Sequence, residues 1–427
     1  MNAAVENPRA LWEQRLRAAI MQSAPLLDAR TVPVESRSRA IERALAAGLP
    51  GLRDEAWRNA DLRFLSTASL APLPPAPADE PEASELPEAL HGFSRLVYSN
   101  GRLLEHLSDV VPELRRRAAP LVPERTKHER FGWLNDAFAT DVARLVVAGE
   151  RRLELLFLSS NTPDPQAYYP RLEVTLEASA SLTLVERHLG AAGSNAVTNV
   201  ATQVYAAPGC QVRHLRVQQH ADTARLLDTL QVAIDRDARY ELTLLQLGGA
   251  AARSSVRASL FGEGAELDLG GVSLAAGRRT LDTSLRIDHV APRTTSTQVL
   301  RALAREGGRI GCTSRVEVAA TARGASSQQS LRGLIDGDGA QVHLQPRLEI
   351  LTDEVRASHG ATTGALDPAT MFYLLSRGLD PQLARSLLEW AFLENALSRI
   401  GDATLRRHAE LVIATRLGSP VALEALQ

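Results

Sequence analysis

Residues 209–247 read GCQVRHLRVQQHADTARLLDTLQVAIDRDARYELTLLQL. The stretch opens at Gly209 with a small residue and a short alternating strand, GCQVR. It reopens in the same way 29 residues later at Ala238 with ARYEL. From about 143 to 357 the side chains keep a period of two: Leu153, Leu155 and Phe157 alternate, then Leu172, Val174 and Leu176, then Leu182 and Leu184. That period lines one face of a strand with apolar groups, and almost no convincing helix interrupts it. The same opening recurs at Ala180 (ASLTL), Gly264 (GAELDL), Gly308 (GRIGC) and Gly339 (GAQVHL), and the six openings are spaced by 29, 29, 26, 44 and 31 residues. Four of the five intervals sit close together, which points to repeated coils rather than independent hairpins. In a β-solenoid each coil turns a corner at a small residue and stacks its inward side chains on the coil below. An aromatic content of 4% suits such a narrow interior. An up-and-down barrel or a sandwich gives similar alternation and stays open as an alternative.

Outside this body the pattern is helical. Pro8 stands at a first turn, with Leu11, Trp12, Leu16, Ala19 and Ile20 at helical spacing, and Ser36 to Ala47 ends at Gly48 with Pro50 beyond. Residues 71–88 (APLPPAPADEPEASELPE) have almost nothing to bury and read as a linker or surface loop. A strand, a turn at Asn100-Gly101 and a strand follow from about 92 to 112. Helix is expected from about 112 to 141, with Leu134, Phe138 and Val142 on one face. At the C-terminus Asp367-Pro368 and Asp380-Pro381 each supply an N-cap and a first-turn proline. Gly378 and Gly401 close these two helices, and Asp402 opens a third that ends near Gly418. In the second of them Leu387, Leu388, Ala391, Phe392 and Ala396 form an apolar stripe, read as core before partner surface. The expected layout is a helical region over 1–70, a Pro/Ala-rich linker over 71–91, a mixed region over 92–142, a β core over 143–360 and a helical domain over 361–427.

Composition removes several functions. The chain of 427 residues holds 48 Lys plus Arg, of which Lys127 is the sole lysine, against 50 Asp plus Glu. No glycine-rich turn precedes Lys127, so the chain carries no P-loop and no ATP site of its own. A Schiff-base enzyme would have to desolvate that one lysine in a charged context. Cys210 and Cys312 are too far apart for a Cys-x-x-Cys zinc or redox site. A net charge of −2 gives no reason to expect nucleic acid. Glu6 and Glu13 with no apolar segment after them, and no run near the ~18 apolar residues of a membrane helix, lead to the expectation of a soluble cytoplasmic protein without membrane partners.

Local motifs are weak. No Gly-x-Ser-x-Gly occurs. Gly262-Glu263-Gly264 and Asp336-Gly337-Asp338-Gly339 read as turns rather than as a dinucleotide fingerprint or a calcium loop, and Arg115-Arg116-Arg117 as a solvated face. More informative are Glu349, Asp353, Glu354, Ser358 and His359, within eleven residues where the β pattern yields to helix. Such groups at a junction bind or ligate, or they cap the solenoid and satisfy the first backbone groups of the helical region.

The stretch 345–367 (QPRLEILTDEVRASHGATTGALD), followed by MFYLLSRGLDPQLARSLLEWAFL at 371–393, resembles the signature of the SufB/SufD family of iron–sulfur cluster assembly proteins. The pattern is Pro-x-Leu-Glu-Ile, an acidic pair and Val, a Cys-x-His-Gly-Ala element, Gly-x-Leu-Asp, then Phe-Tyr-Leu-x-Ser-Arg-Gly. Fainter matches lie at 55–65, 99–108 and 134–141. The short, cysteine-poor chain is more similar to the SufD branch than to SufB.

The resemblance implies a right-handed parallel β-helix between helical ends, in a non-catalytic scaffold subunit. It implies SufB and SufC as partners, sulfur from SufS–SufE, and a homodimer for the subunit in isolation. The C-terminal helices would bind the SufC ATPase and the β-helix end would meet SufB. His359 corresponds to the histidine at which a transient Fe–S cluster forms across that interface, while Ala357 stands where the family has cysteine. Gly360, Asp367, Phe372, Tyr373, Ser376, Arg377 and Gly378 complete the matching motif. Flavin association belongs to the family complex, and no flavin-binding signature is visible in this chain. From another class, a carbohydrate-active β-helix lyase or hydrolase would need grouped carboxylates or cationic bases in a groove. A purely structural adaptor would lack the ligand role.

Overall fold

The computed structural model describes residues 8–28, 31–50, 54–72, 80–112, 114, 122–160 and 167–418. The strands are β1 (Ser94–Ser99), β2 (Arg102–Leu103), β3 (Ala143–Val147), β4 (Glu150–Ser159), β5 (Ala167–Tyr168), β6 (Arg171–Leu176), β7 (Ser181–Gly190), β8 (Val197–Ala206), β9 (Gln211–Gln219) and β10 (Arg225–Ile234). They continue as β11 (Arg239–Gln246), β12 (Ala251–Leu260), β13 (Glu266–Ala275), β14 (Thr280–His289), β15 (Thr295–Arg305), β16 (Arg309–Val318), β17 (Ala325–Asp336), β18 (Gln341–Ile350) and β19 (Val355–Gly364). Odd strands from β7 to β19 pair in parallel in one sheet, which β4, β1 and β2 extend; even strands from β6 to β18 pair in parallel in the other, with β3 at its far edge. Each coil gives one strand to each sheet. The result is a parallel β-solenoid of about seven turns.

Coil stacking explains the sequence period and its one break. A left-handed φ recurs at Ser179, Gly209, Asp237, Gly264, Arg293 and Gly324, once per coil, where the chain turns into the odd-numbered sheet. Only glycine adopts this conformation freely; the other three hold it because the stack above and below fixes the corner. The next residue in each coil (Ala180, Cys210, Ala238, Ala265, Thr294, Ala325) points inward and is at most 1% exposed. Small side chains are the only ones that fit. The interval of 44 residues between Gly264 and Gly308 arises because Gly308 and Gly339 precede strands of the even-numbered sheet. The corner between them sits at Arg293, which carries no small-residue signal.

The interior is mostly Leu, Val, Ile and Ala, in register from coil to coil. One layer is ionic. Glu186, fully buried, accepts from His188 Nε2 at 2.7 Å, His214 Nε2 at 3.1 Å, Arg216 Nη2 at 2.8 Å and Thr202 Oγ1 at 3.0 Å. Burial alone would push the Glu186 carboxyl up, but Arg216 and the two imidazoles hold it well below the usual carboxylate range.

Helices α1 (Pro8–Ser23), α2 (Val34–Ala47) and α3 (Arg130–Phe138) pack Trp12, Leu16, Ala40, Ala44, Phe131 and Phe138 against the first coils. Among the described residues the expected helix over 112–141 is present as α3; 113 and 115–121 lie outside them. Residues 122–126, which include Pro123, are irregular, and a single turn over Lys127–Glu129 leads in. Beyond Phe138 the Asp141 carboxylate accepts from the Val142 and Leu103 amides, drawing Val142 into the approach to β3. Arg115-Arg116-Arg117 and residues 73–79 of the Pro/Ala-rich stretch lie outside the described residues. At the other end come α4 (Pro368–Ser376), α5 (Pro381–Leu397) and α6 (Ala403–Leu417), N-capped by Asp367, Asp380 and Asp402. α5 and α6 cover the outer face of the odd-numbered sheet through Leu393, Ala396, Leu397, Leu405 and Ile413. The buried face of α5 is turned from the expected stripe: Ala391 is exposed, and Ala384, Glu389 and Leu393 face inward instead. The reason is Arg305 on β15, which draws Glu389 down onto the sheet (Nε to Oε1, 2.8 Å).

Candidate functional site

β18 and β19 end the two sheets, and each has a strand neighbour on one side alone. Their outer edges present unpaired backbone groups, which native sheets usually blunt or cover. Here the last coil is bare: β19 is exposed along nearly all its length. The expected seam therefore moves. The β pattern runs on to Gly364, and Glu349, Asp353, Glu354, Ser358 and His359 belong to the last coil rather than to a junction with helix.

His359 stands in register with Gln329 on β17, which stands in register with Gln298 on β15. Both glutamines are buried, so His359 continues an inward-facing column and is exposed because no coil follows. Ala357, two residues earlier, shares that face, while Ser358 and Gly360 take the opposite one. The Gln329 Oε1 and both polar atoms of Gln298 are buried without a partner beneath this open end. Asp353 and Glu354 form the turn between the last strands, where the Glu354 carbonyl accepts from the Gly324 amide at 2.7 Å.

Glu349 lies on the other sheet and belongs to a ladder that sequence reading missed. Arg257, Arg286, Arg315 and Arg347 stack in register, as do Asp288, Glu317 and Glu349 two positions on. Each arginine reaches the acid of the next coil: Arg257 to Asp288 at 2.8 Å, Arg286 to Glu317 at 3.0 Å, and Arg315 to Glu349. Arg347 has no further coil and pairs with Glu55 instead. The signal was legible as Arg-x-Asp/Glu in the last three coils, at Arg286, Arg315 and Arg347.

Helix α4 leaves this end with none of its residues buried. Asp367 caps it, accepting from the Thr370 amide at 2.9 Å, and the Thr370 hydroxyl and these amides hold its carboxyl below the ordinary value. Phe372 is 73% exposed and Tyr373 55%. Arg377 stacks over Tyr373 at 5.2 Å, the Ser376 hydroxyl donates to the Tyr373 carbonyl at 2.7 Å, and Gly378 ends the helix with φ 85°. Phe372 and Tyr373 together form an uncovered apolar patch on one short helix.

No group of three or more His, Cys, Asp or Glu among the described residues is placed to hold a metal ion. Cys210 fills a corner of the stack and Cys312 the interior, and burial pushes both thiols up, away from the thiolate that ligates metal. No helix among the described residues is long and apolar enough to cross a membrane.

Fold and site together define a helix-flanked parallel β-solenoid with an uncovered last coil. The family model described as "SUF system FeS cluster assembly, SufBD core domain" matches residues 157–392, and the chain belongs to that family. Membership places it in iron–sulfur cluster assembly. It is 28% identical over 417 residues to a SufBD-family iron–sulfur cluster assembly protein of Synechocystis, covering 90% of this chain and 91% of the relative. It is 24% identical over 388 residues to the iron–sulfur cluster assembly protein SufD of Escherichia coli, covering 88% and 91%. Similarity to SufB of Bacillus subtilis, 25% over 201 residues, covers 47% and 43%. The breadth of the SufD match agrees with the sequence reading.

Proposed function

We propose that the chain is a non-catalytic scaffold subunit that joins a SufB-type subunit and a SufC-type ATPase. In this reading a nascent Fe–S cluster, with sulfur supplied by a SufS–SufE pair, forms at the uncovered last coil. The observation that carries it is His359, the last side chain of an inward column, left in the open where a partner must seat. A neutral imidazole ligates iron through one ring nitrogen while a neighbour fixes the other. With Ala357 at the family's cysteine position this chain offers no thiolate there, so sulfur ligands come from the partner. Bare α4, with Phe372 and Tyr373 outward, supports the ATPase contact.

His359→Ala tests the ligand role. Co-purification of the partner subunits should survive, while the cluster band in anaerobic absorption spectra falls; unchanged maturation leaves a structural adaptor. Truncation after residue 366 should abolish association with the ATPase and leave the β body folded. Retained association would move that contact elsewhere.

A further inference from the structure

Away from the open end, a cavity of about 280 Å³ lies where α2 and residues 122–125 meet the first coils. Four of its lining residues are arginines: Arg39, Arg43, Arg125 and Arg171. Their acids do not balance them. Asp136 accepts from both Arg125 and Arg171. Glu173 serves Arg171 and Arg144, each at 2.7 Å. Arg43 has the exposed Glu124, and Arg39 has no ion-pair partner among the described residues. Among the lining residues four guanidiniums face two carboxylates, Glu124 and Asp136, with Glu173 behind Arg171. Arg37 is buried behind them on carbonyl oxygens, among them Ala137 at 2.7 Å and Ala139 at 2.9 Å. Burial, and then Arg171, lower its pKa to about 10, against the pull of Asp28.

Arg125 is seated with care. A Cβ at residue 132 would fall 2.3 Å from its Nε, so glycine on α3 makes the slot through which the guanidinium passes. Its Nη1 meets Asp136, while Nε and Nη2, the edge that binds an oxyanion in two parallel bonds, are buried without partners. The indole Nε1 of Trp133, another lining residue, is also buried and unpaired. Native structures leave few buried donors unpaired, and three at one cavity with surplus positive charge call for an acceptor.

We propose that this cavity is a binding site for a small oxyanion-bearing molecule, with a phosphate or carboxylate head held by Arg39, Arg43 and Arg125. Val32, Val122 and Trp133 leave room for a compact apolar body. The proposal is independent of the cluster-assembly reading.

Full-length protein is titrated with pyrophosphate in one arm and succinate in another, by calorimetry, with sodium chloride at matched ionic strength as control. Saturable binding of one stoichiometric equivalent is expected in at least one arm, and the arms separate phosphate from carboxylate heads. Arg39→Gln, on the exposed face of α2, keeps the fold and should weaken binding about tenfold, as loss of one charge-assisted hydrogen bond does. Gly132→Ala, which pushes Arg125 from its slot, should weaken it further; its thermal melt separates that effect from unfolding. Absence of saturable binding in both arms, heats equal to those of chloride, or an Arg39→Gln affinity equal to wild type would overturn the proposal.

Discussion

Lowering the pH from 7 to 5 should destabilise the fold by about 2 kcal/mol through His289 alone. This histidine is 1% exposed, with Nδ1 2.8 Å from the Thr294 hydroxyl and Nε2 2.8 Å from that of Ser296. Burial lowers its pKa from 6.5 to about 4, although Asp288 beside it pulls the other way. The unfolded chain therefore binds a proton near pH 6.5 that the native state refuses until about pH 4. Stability is full above 6.5 and falls as the pH drops through that window. At pH 5 the difference is roughly one and a half pH units for this one group. His220 and His408, lowered by burial to about 3 and about 4, act in the same direction. Glu186, held low by its partners, contributes its own loss only below about 4.5, outside the window. Urea unfolding followed by circular dichroism at pH 7 and pH 5 measures the loss. His289→Gln keeps a hydrogen-bonding side chain and removes the titration, so its loss should be smaller than wild type by about 2 kcal/mol. A loss equal to that of wild type would refute the argument.

Other outcomes follow from the two ends of the molecule. Arg305→Met should loosen α5 and α6 at a cost of about 3–5 kcal/mol, because it strands the fully buried Glu389. Limited proteolysis reads this, and adding Glu389→Leu should restore much of the protection; no restoration would mean that the pair is not what seats the helix. Phe372→Ser with Tyr373→Ser should leave the melting temperature of the isolated chain within about a degree, since neither side chain is buried. The same double change should weaken ATPase association at least tenfold by calorimetry; equal affinity would remove α4 from that contact.

The solenoid was legible because its stacking repeats a physical constraint in every coil: alternation for the inward columns, and a small residue after each corner. Arg293 hid one corner because neighbours, not its own preference, hold its left-handed φ. Leu134 and Phe138 do lie on α3, but Val142 looked helical with them because spacing alone cannot register the Asp141 carboxylate capturing its amide. The apolar stripe on α5 was read too far round because burial of Glu389 depends on an arginine 84 residues away. His359 and α4 were named from the motif, yet the grouping around His359 was not spatial. Glu349 and His359 are ten positions apart and lie on different sheets, a separation that only the coil geometry reveals. The arginine–acid ladder was present in the sequence of the last three coils but carries meaning only after the strands are in register.

The central claim is that the uncovered last coil is where a SufB-type partner seats. Amide hydrogen exchange on the full-length chain, alone and with that partner, tests it most directly. Peptides spanning 341–364 should exchange fast in isolation and become strongly protected in the complex, with His359 inside the protected segment. A stable complex in which 341–364 exchanges as fast as in the free chain, with protection elsewhere, would contradict the account.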